Sequence, residues 1–312
     1  MARIFLQVPG GLKRNVLKLA DEIGGDVVIS GENCYGACDI RPADAEALKC
    51  DKIIHYGHSV YMHPKTLKAK MPVEYREHRE KIDATPIIKK NFSKIEKFNS
   101  FGLVSSVQFL DSLELAKRFL ESKGKKVIMD KGVLTAHEGQ ILGCDTVAAT
   151  KTENNIDCFL AIGSGIFHPL GLALKTDKPF FAIDVEYGSM NEIKNSRDKF
   201  LRQRYAAIAL AKDAKVVGIL VSVKPGQENI AFAEKLRDRM IKSGKKAYIL
   251  AFDEITASKL EGIPIDLYVN TACPRIAIED RESFKKPIIN IDEMNEALGS
   301  EQKTWQDMAK EC

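Results

Sequence analysis

Long apolar runs are the first feature that this sequence lacks. No segment approaches the ~20 consecutive apolar residues that a membrane-spanning helix needs. Near the N-terminus, Pro9-Gly10-Gly11 stands where a secretory signal would have its apolar segment, and no small-residue cleavage site follows. Both absences predict a cytoplasmic protein that does not enter a membrane.

A strong excess of one charge is also absent. The chain has 47 basic and 43 acidic residues, which predicts a mixed-charge surface and argues against nucleic-acid binding. Aromatic residues make up only 7% of the chain, but 45% of the residues are hydrophobic, as in ordinary globular proteins. With 312 residues, the chain is long enough for two or three domains.

Clustered cysteine motifs are missing as well. The seven cysteines are an odd number in a chain without a secretory signal, so metal ligation or catalysis is favoured over disulfides. Cys34 and Cys38 could begin the three-cysteine motif of the large radical S-adenosylmethionine superfamily, but position 41 is Arg41. The thiols that fit a buried structural or incidental role are Cys50, Cys158 and Cys312.

Short apolar strands alternate with amphipathic helices, which predicts an α/β fold with mainly parallel sheets. Three strand–helix–strand units begin roughly a hundred residues apart, and this repeat predicts three similar domains over residues 1–95, 96–212 and 213–312. A glycine follows the second and third helices as the expected C-cap. The predicted elements are Arg3–Val8, Leu12–Ile23 and Asp26–Ser30; Leu103–Phe109, Leu113–Lys123 and Lys126–Asp130; Val216–Val223, Glu228–Lys242 and Lys246–Phe252; and the helices Asn191–Lys212 and Gln302–Lys310.

Three cysteines lie in loop-like settings, one in each predicted domain. Cys38, Cys144 and Cys273 each sit at the boundary of a strand or helix, so three similar domains could bring one thiolate each to a central point. Three thiolates would suit a 4Fe–4S cluster with one open iron, or a zinc ion with a histidine as its fourth ligand. Buried structural thiols remain the alternative.

Two further loops carry glycine, serine and histidine where an apolar run ends. One is His55-Tyr56-Gly57-His58-Ser59, followed by His63-Pro64, and the other is Gly163-Ser164-Gly165, followed by His168-Pro169. Ligands of open α/β sheets bind outside the carboxyl ends of the strands. Both loops are therefore predicted walls of a binding site.

Several longer motifs carry a resemblance that extends from end to end of the chain. They are Leu6-Gln7-Val8-Pro9-Gly10-Gly11-Leu12-Lys13, Tyr35-Gly36-Ala37-Cys38, His55-Tyr56-Gly57-His58-Ser59, Gly139-Gln140-Ile141-Leu142-Gly143-Cys144, Gly163-Ser164-Gly165 through His168-Pro169-Leu170-Gly171-Leu172, Lys224-Pro225-Gly226-Gln227 and Val269-Asn270-Thr271-Ala272-Cys273-Pro274-Arg275. In this order they resemble the archaeal 2-(3-amino-3-carboxypropyl)histidine synthase family, which carries out the first step of diphthamide biosynthesis.

The resemblance implies three similar domains around one central 4Fe–4S cluster, held by Cys38, Cys144 and Cys273. It implies a homodimer that uses S-adenosylmethionine, an electron donor, and translation elongation factor 2 as the protein substrate. The implied reaction transfers a 3-amino-3-carboxypropyl radical to C2 of a histidine imidazole and releases 5′-methylthioadenosine. Cys34 departs from the family pattern, in which we expect a residue such as threonine there, and adds a spare thiol near the site.

Candidate cofactor-binding residues come from the same motifs. They are Gly57, His58, Ser59, Gln140, Gly163, Ser164, Gly165, His168, Gln227 and Arg275. Taken singly, each also fits ordinary turn chemistry, a surface ion pair or a structural histidine. The alternatives for the whole chain are a quinolinate-synthase-like 4Fe–4S lyase and a non-catalytic iron–sulfur redox or partner subunit.

Overall fold

The structure, a computed structural model, describes residues 2–67, 70–165 and 167–299, without the side chains of residues 67, 167 and 168. Its strands form three sheets, each built from one continuous stretch of chain. The strands are β1 (Arg3–Gln7), β2 (Asp26–Ile29), β3 (Lys52–Gly57), β4 (Val73–Glu77), β5 (Ser100–Ser105), β6 (Lys126–Ile128), β7 (Cys158–Gly163), β8 (Phe180–Asp184), β9 (Ser189–Glu192), β10 (Val216–Ser222), β11 (Lys246–Phe252), β12 (Leu267–Asn270) and β13 (Ile288–Asn290).

The three sheets share one topology. Their strand orders are β2-β1-β3-β4, β6-β5-β7-β8-β9 and β11-β10-β12-β13, so the first strand of each unit lies between its second and third. Neighbouring strands are parallel except at the edge pair β8–β9, which is antiparallel. The predicted α/β fold with mainly parallel sheets is confirmed.

Helices connect the parallel strands and cover the faces of the sheets. They are α1 (Val16–Ile23), α2 (Pro42–Ala47), α3 (Pro64–Leu67), α4 (Thr85–Lys90), α5 (Leu110–Ser122), α6 (Val147–Thr150), α7 (Phe167–Ala173), α8 (Lys194–Asp213), α9 (Ile230–Lys242), α10 (Ala257–Leu260), α11 (Arg275–Ile278) and α12 (Ile291–Ala297). No helix in this described part of the chain has the length and apolar character that crossing a bilayer requires.

The central strands are buried on both faces, which explains their continuous apolar sequences. In β7, every residue from Cys158 to Ile162 is buried, and in β10 burial is complete after Val216. The helices α5 and α9 bury apolar residues against these strands, for example Leu113 and Leu236. Gly124 and Gly244 follow the two helices at positive φ, as predicted for helix C-caps.

Several element boundaries differ from the predictions. The helix predicted to start at Leu12 begins with a 3-10 segment, and its α-helical part starts only at Val16. The strand predicted from Leu103 to Phe109 ends at Ser105, because the chain turns there into a 3-10 segment that leads into α5. The long helix predicted from Asn191 starts at Lys194, since β9 pairs with β8 just before it. The predicted helix Gln302–Lys310 lies outside the described residues.

Candidate metal centre

The three cysteines of the separate predicted domains meet at one place. Cys38 follows β2, Cys144 lies between β6 and β7, and Cys273 follows β12. Cys38 and Cys144 pack against the same small buried cluster of Ala37, Tyr61 and Leu134. Gln227 donates to Cys38 Sγ and lines one cavity together with Cys273, so the loops of the three cysteines lie side by side.

Burial raises the pKa values of all three thiols, which disfavours their thiolate forms. Burial raises the pKa of Cys38 well above its usual value, and Cys273 and Cys144 raise it further. Burial, followed by the neighbouring Cys273, raises the pKa of Cys144 to about 12. Burial also raises the pKa of Cys273, although Arg275 acts in the opposite direction. A positively charged metal group bound by all three would stabilise their thiolate forms, so this donor set fits an iron–sulfur cluster.

The loop that carries Cys38 is held by residues of the third sheet unit. The amide of Gln227 donates to Cys38 Sγ at 3.3 Å. Lys224 Nζ donates to Asp39 Oδ2 at 2.7 Å, and the two side chains are 5% and 0% exposed. A Cβ atom at Gly226 would lie 2.5 Å from the carbonyl oxygen of Cys38, so only glycine allows this approach. The Lys224–Gln227 turn therefore fixes one thiol of the site.

The aromatic ring of Tyr35 lies in the same loop, three residues before Cys38. The guanidinium of Arg275 is 5.1 Å from the centre of the ring, and Lys224 Nζ is 5.5 Å from it. The hydroxyl of Tyr35 donates to Glu254 Oε1 at 2.5 Å, and this contact is the largest cause that raises the pKa of Tyr35 to about 12. The ring therefore joins cations of the third unit to the cysteine loop.

Two cavities open beside the cysteines. One, of about 410 Å³, is lined by Cys273, Arg275, Gln227, Tyr35 and Glu254 among others. The other, of about 380 Å³, is lined by Cys144, Lys175, Arg204, Phe200 and Glu293 among others. Both are large enough for a small organic ligand.

Of the predicted binding residues, Gln227 and Arg275 lie at the cysteine site. Ser59 and Gln140 instead form a buried pair in which Gln140 Nε2 donates to Ser59 Oγ at 2.7 Å. The amide oxygen of Gln140 accepts hydrogen bonds from the backbone N–H groups of Ala136 and His137, so this side chain stabilises the loop that precedes Cys144.

Gly57 is explained by packing and backbone shape. It ends β3 with φ +107°, and a Cβ there would lie 2.9 Å from the ring of Pro9. Its carbonyl accepts from Gln108 Nε2 at 3.1 Å. Contrary to the predicted loop that starts at His55, the segment from His55 to Gly57 belongs to β3, and only His58 and Ser59 follow the strand.

Among the described residues, Gly163, Ser164 and Gly165 of the second predicted loop line neither of the two cavities beside the cysteines. Ser164 Oγ donates to Glu186 at 2.7 Å, and the backbone N–H of Gly165 donates to Asp184 at 3.3 Å. Gly163, Ser164 and Gly165 thus form a turn at the end of β7 beside two carboxylates. The side chain of His168 lies outside the described residues.

The other thiols have separate surroundings. Cys158 is fully buried in β7 and Cys50 is 6% exposed, which agrees with structural roles. Cys34 is buried beside His55, which lies in β3, and His58, which follows that strand. Cys312 lies outside the described residues.

Sequence reasoning missed Tyr35, Glu254 and the Asp39–Lys224 ion pair. Asp39 directly follows the motif that ends at Cys38, and Lys224 begins another motif. Because the two residues are 185 positions apart in the sequence, no local pattern predicts that they pair. It also missed Lys175 and Glu293 of the second cavity. For Glu293 a signal exists, because Asn290 and Glu293 form a capping box at the start of α12.

Known proteins of one family match nearly the whole chain. A family model described as a diphthamide synthesis protein matches residues 8–309. The 2-(3-amino-3-carboxypropyl)histidine synthase of Pyrococcus horikoshii is 37% identical over 303 residues, which cover 95% of this chain and 86% of that protein. Subunit 1 of the synthase from Homo sapiens is 27% identical, over 95% of this chain and 68% of that protein.

A solved structure agrees with these matches. The crystal structure of Dph2 from Pyrococcus horikoshii with a 4Fe–4S cluster superposes with a TM-score of 0.87 and 34% sequence identity. The superposition covers 97% of this chain and 88% of that chain. The resemblance seen in the sequence motifs is thereby confirmed, and the chain belongs to the diphthamide synthesis family.

Proposed function

We propose that this protein transfers the 3-amino-3-carboxypropyl group of S-adenosylmethionine to C2 of a histidine imidazole on translation elongation factor 2, the first step of diphthamide biosynthesis. The observation that carries the proposal is the meeting of three half-buried cysteines, one from a loop of each sheet unit, in a chain whose relatives bear this activity in their names. The family match favours this transferase over the quinolinate-synthase-like lyase.

Cys38, Cys144 and Cys273 are the proposed ligands of one 4Fe–4S cluster. Three thiolates leave one iron of a cubane without a protein ligand, and a substrate can bind at that iron. When bound, the reduced cluster supplies the one-electron chemistry that cleaves the bond between sulfur and the methionyl γ-carbon of S-adenosylmethionine. The amide of Gln227 stabilises the thiolate of Cys38 through its hydrogen bond.

The cavity beside Cys273 is the proposed site for S-adenosylmethionine. Arg275 is oriented there by Glu279 at 2.9 Å and Asp280 at 2.9 Å, and its guanidinium can bind the carboxylate of the methionyl group. Glu254, which lines the same cavity, can accept from the ribose hydroxyls. These contacts would hold the γ-carbon close to the cysteines, in a geometry that favours its release.

The remaining parts of the proposal concern partners and organisation. The chain works as a homodimer, takes its electron from a separate donor, and acts in the cytoplasm, where its substrate elongation factor 2 functions. Residues 1–95, 96–212 and 213–312 are its three domains, and the three separate sheets with a common strand order support these boundaries.

The test is an anaerobic incubation of the iron-loaded protein with S-adenosylmethionine, dithionite and elongation factor 2. The factor should gain the mass of one aminocarboxypropyl group on a single histidine, and 5′-methylthioadenosine should accumulate. Without the factor, 2-aminobutyrate-type products should replace the modified protein. Formation of 5′-deoxyadenosine as the main nucleoside would contradict the proposed bond cleavage, and an unmodified factor would contradict the proposed substrate.

A further inference from the structure

A cysteine and two histidines, residue types that often bind metals, lie together beside the loop of Cys38. The Nε2 atom of His55 is 3.9 Å from Cys34 Sγ and 2.9 Å from His58 Nδ1. One ligand atom from each of the three residues lies within 4.8 Å of the others. None of the three residues is a proposed cluster ligand.

The separations resemble those within a tetrahedral zinc site. With bonds of about 2.1 Å to nitrogen and about 2.3 Å to sulfur, tetrahedral angles place two nitrogen ligands about 3.4 Å apart. The same geometry places nitrogen and sulfur about 3.6 Å apart. The observed 2.9 Å is about 0.5 Å shorter and the observed 3.9 Å about 0.3 Å longer than these values, and the third separation lies within 4.8 Å, so side-chain movements of up to about 1 Å would complete the coordination.

The surroundings are closed on one side and open on the other. Cys34 is 5% exposed and His55 is fully buried, with the ring of Tyr75 packed 5.1 Å from the ring of His55. His58 is only half-buried, so an ion and a water molecule can reach the group from its side. Three protein ligands with an accessible fourth position are typical of zinc sites that retain a water molecule.

We propose that Cys34, His55 and His58 form a second metal site that takes zinc or a similar divalent ion of intermediate softness, with water as the fourth ligand. The thiol of Cys34 loses its proton to solvent when its sulfur bonds to the ion. The ion would join the loop between β2 and α2 to the C-terminal end of β3. Its ligand in that loop, Cys34, lies four residues before the proposed cluster ligand Cys38. This site does not depend on the proposed transferase function.

The expected affinity is moderate. A histidine that binds a metal usually donates a hydrogen bond from its other ring nitrogen, and the loss of such a contact weakens binding 10- to 100-fold. The Nδ1 atom of His55 has no hydrogen-bond partner among the described residues. The ion should therefore be lost during extensive washing, and the experiment needs free zinc at micromolar concentration.

The experiment uses the iron-loaded full chain, equilibrated anaerobically with zinc and then desalted rapidly. Elemental analysis should find about four irons and about one additional zinc per chain. Cys34→Ala and His58→Gln should each lose the zinc and keep the iron. Cys50→Ala is the matched control, because it removes a buried thiol that belongs to a different cluster of side chains, and it should keep both metals.

X-ray absorption at the zinc edge separates the possible binding sites. One sulfur neighbour and three nitrogen or oxygen neighbours, two of them from imidazole rings, would support the proposal. A zinc bound only by sulfur, or zinc retention by Cys34→Ala equal to that of the unchanged protein, would overturn it. Failure of the iron content or of the transfer reaction would instead count against the proposed function, since those measurements do not involve zinc.

Discussion

The ion pair between Lys224 and Asp39 provides the sharpest mechanical test of the site. It joins the third sheet unit to the loop of Cys38, at 2.7 Å, with side chains that are 5% and 0% exposed. Lys224→Met removes the ammonium group but keeps most of the apolar length of the side chain. Asp39 would then remain buried without its cation, and its Oδ1 atom already has no partner among the described residues.

The expected cost follows from the burial of this pair. Removing one partner of a buried ion pair costs about 3–5 kcal/mol, because an uncompensated charge stays inside the protein. If this cost falls on the contact between the Cys38 loop and the Lys224–Gln227 turn, the equilibrium constant for opening of that loop increases roughly 150- to 5,000-fold. Hydrogen exchange of peptides from residues 31–41, followed by mass spectrometry, measures that opening directly.

Lys65 supplies a matched control. It also pairs with a carboxylate of the third unit, Glu228, but its side chain is 40% exposed. Exposed pairs contribute about 0–1 kcal/mol, so Lys65→Met should change exchange at most about fivefold. Equal effects of Lys224→Met and Lys65→Met would refute the reasoning. Adding Asp39→Asn to Lys224→Met should recover part of the lost protection, because the charge that needed compensation is gone.

Three further predictions concern the cluster and its substrate. Alanine at any one of the three proposed cluster cysteines should strongly reduce the iron content and the transfer reaction. Cys158→Ala should destabilise the second sheet by a cavity effect and keep the iron. A full cluster in a variant of a proposed ligand would show that this thiol is not a ligand. Gly226→Ala should reduce iron retention, because its new Cβ would lie 2.5 Å from the Cys38 backbone. Gly31→Ala should keep the iron, because no atom lies within 4 Å of a Cβ there. Equal iron retention in the two variants would contradict a role for the contact between Gly226 and Cys38. Arg275→Gln should raise the KM for S-adenosylmethionine about 10- to 150-fold, as expected for the loss of a charged hydrogen bond. Lys175→Gln, in the other cavity, should leave this KM unchanged. The reverse pattern would place the ligand in the cavity beside Cys144.

Local sequence was sufficient for the fold class and for the repeated architecture. Strands that are buried on both faces need continuous apolar runs, and β7 and β10 have them. The helix C-caps need glycine at positive φ, and Gly124 and Gly244 supply it. Boundaries were less certain, because 3-10 turns such as the one before α5 and the edge strand β9 depend on what packs against them.

The site itself was only partly determined by the sequence. The motif resemblance selected Cys38, Cys144 and Cys273, but spacing alone left an iron–sulfur cluster, zinc and structural thiols open. The tertiary structure decided that the loops of the three cysteines lie side by side, that Lys224 pairs with Asp39, and that Cys34 lies close to His55 and His58. These contacts join residues far apart in the sequence, for example 185 positions for Lys224 and Asp39 and 189 positions for Gln227 and Cys38. Local propensity acts over a few neighbouring residues, whereas such contacts arise only when separate sheets pack together and bury their polar groups in pairs.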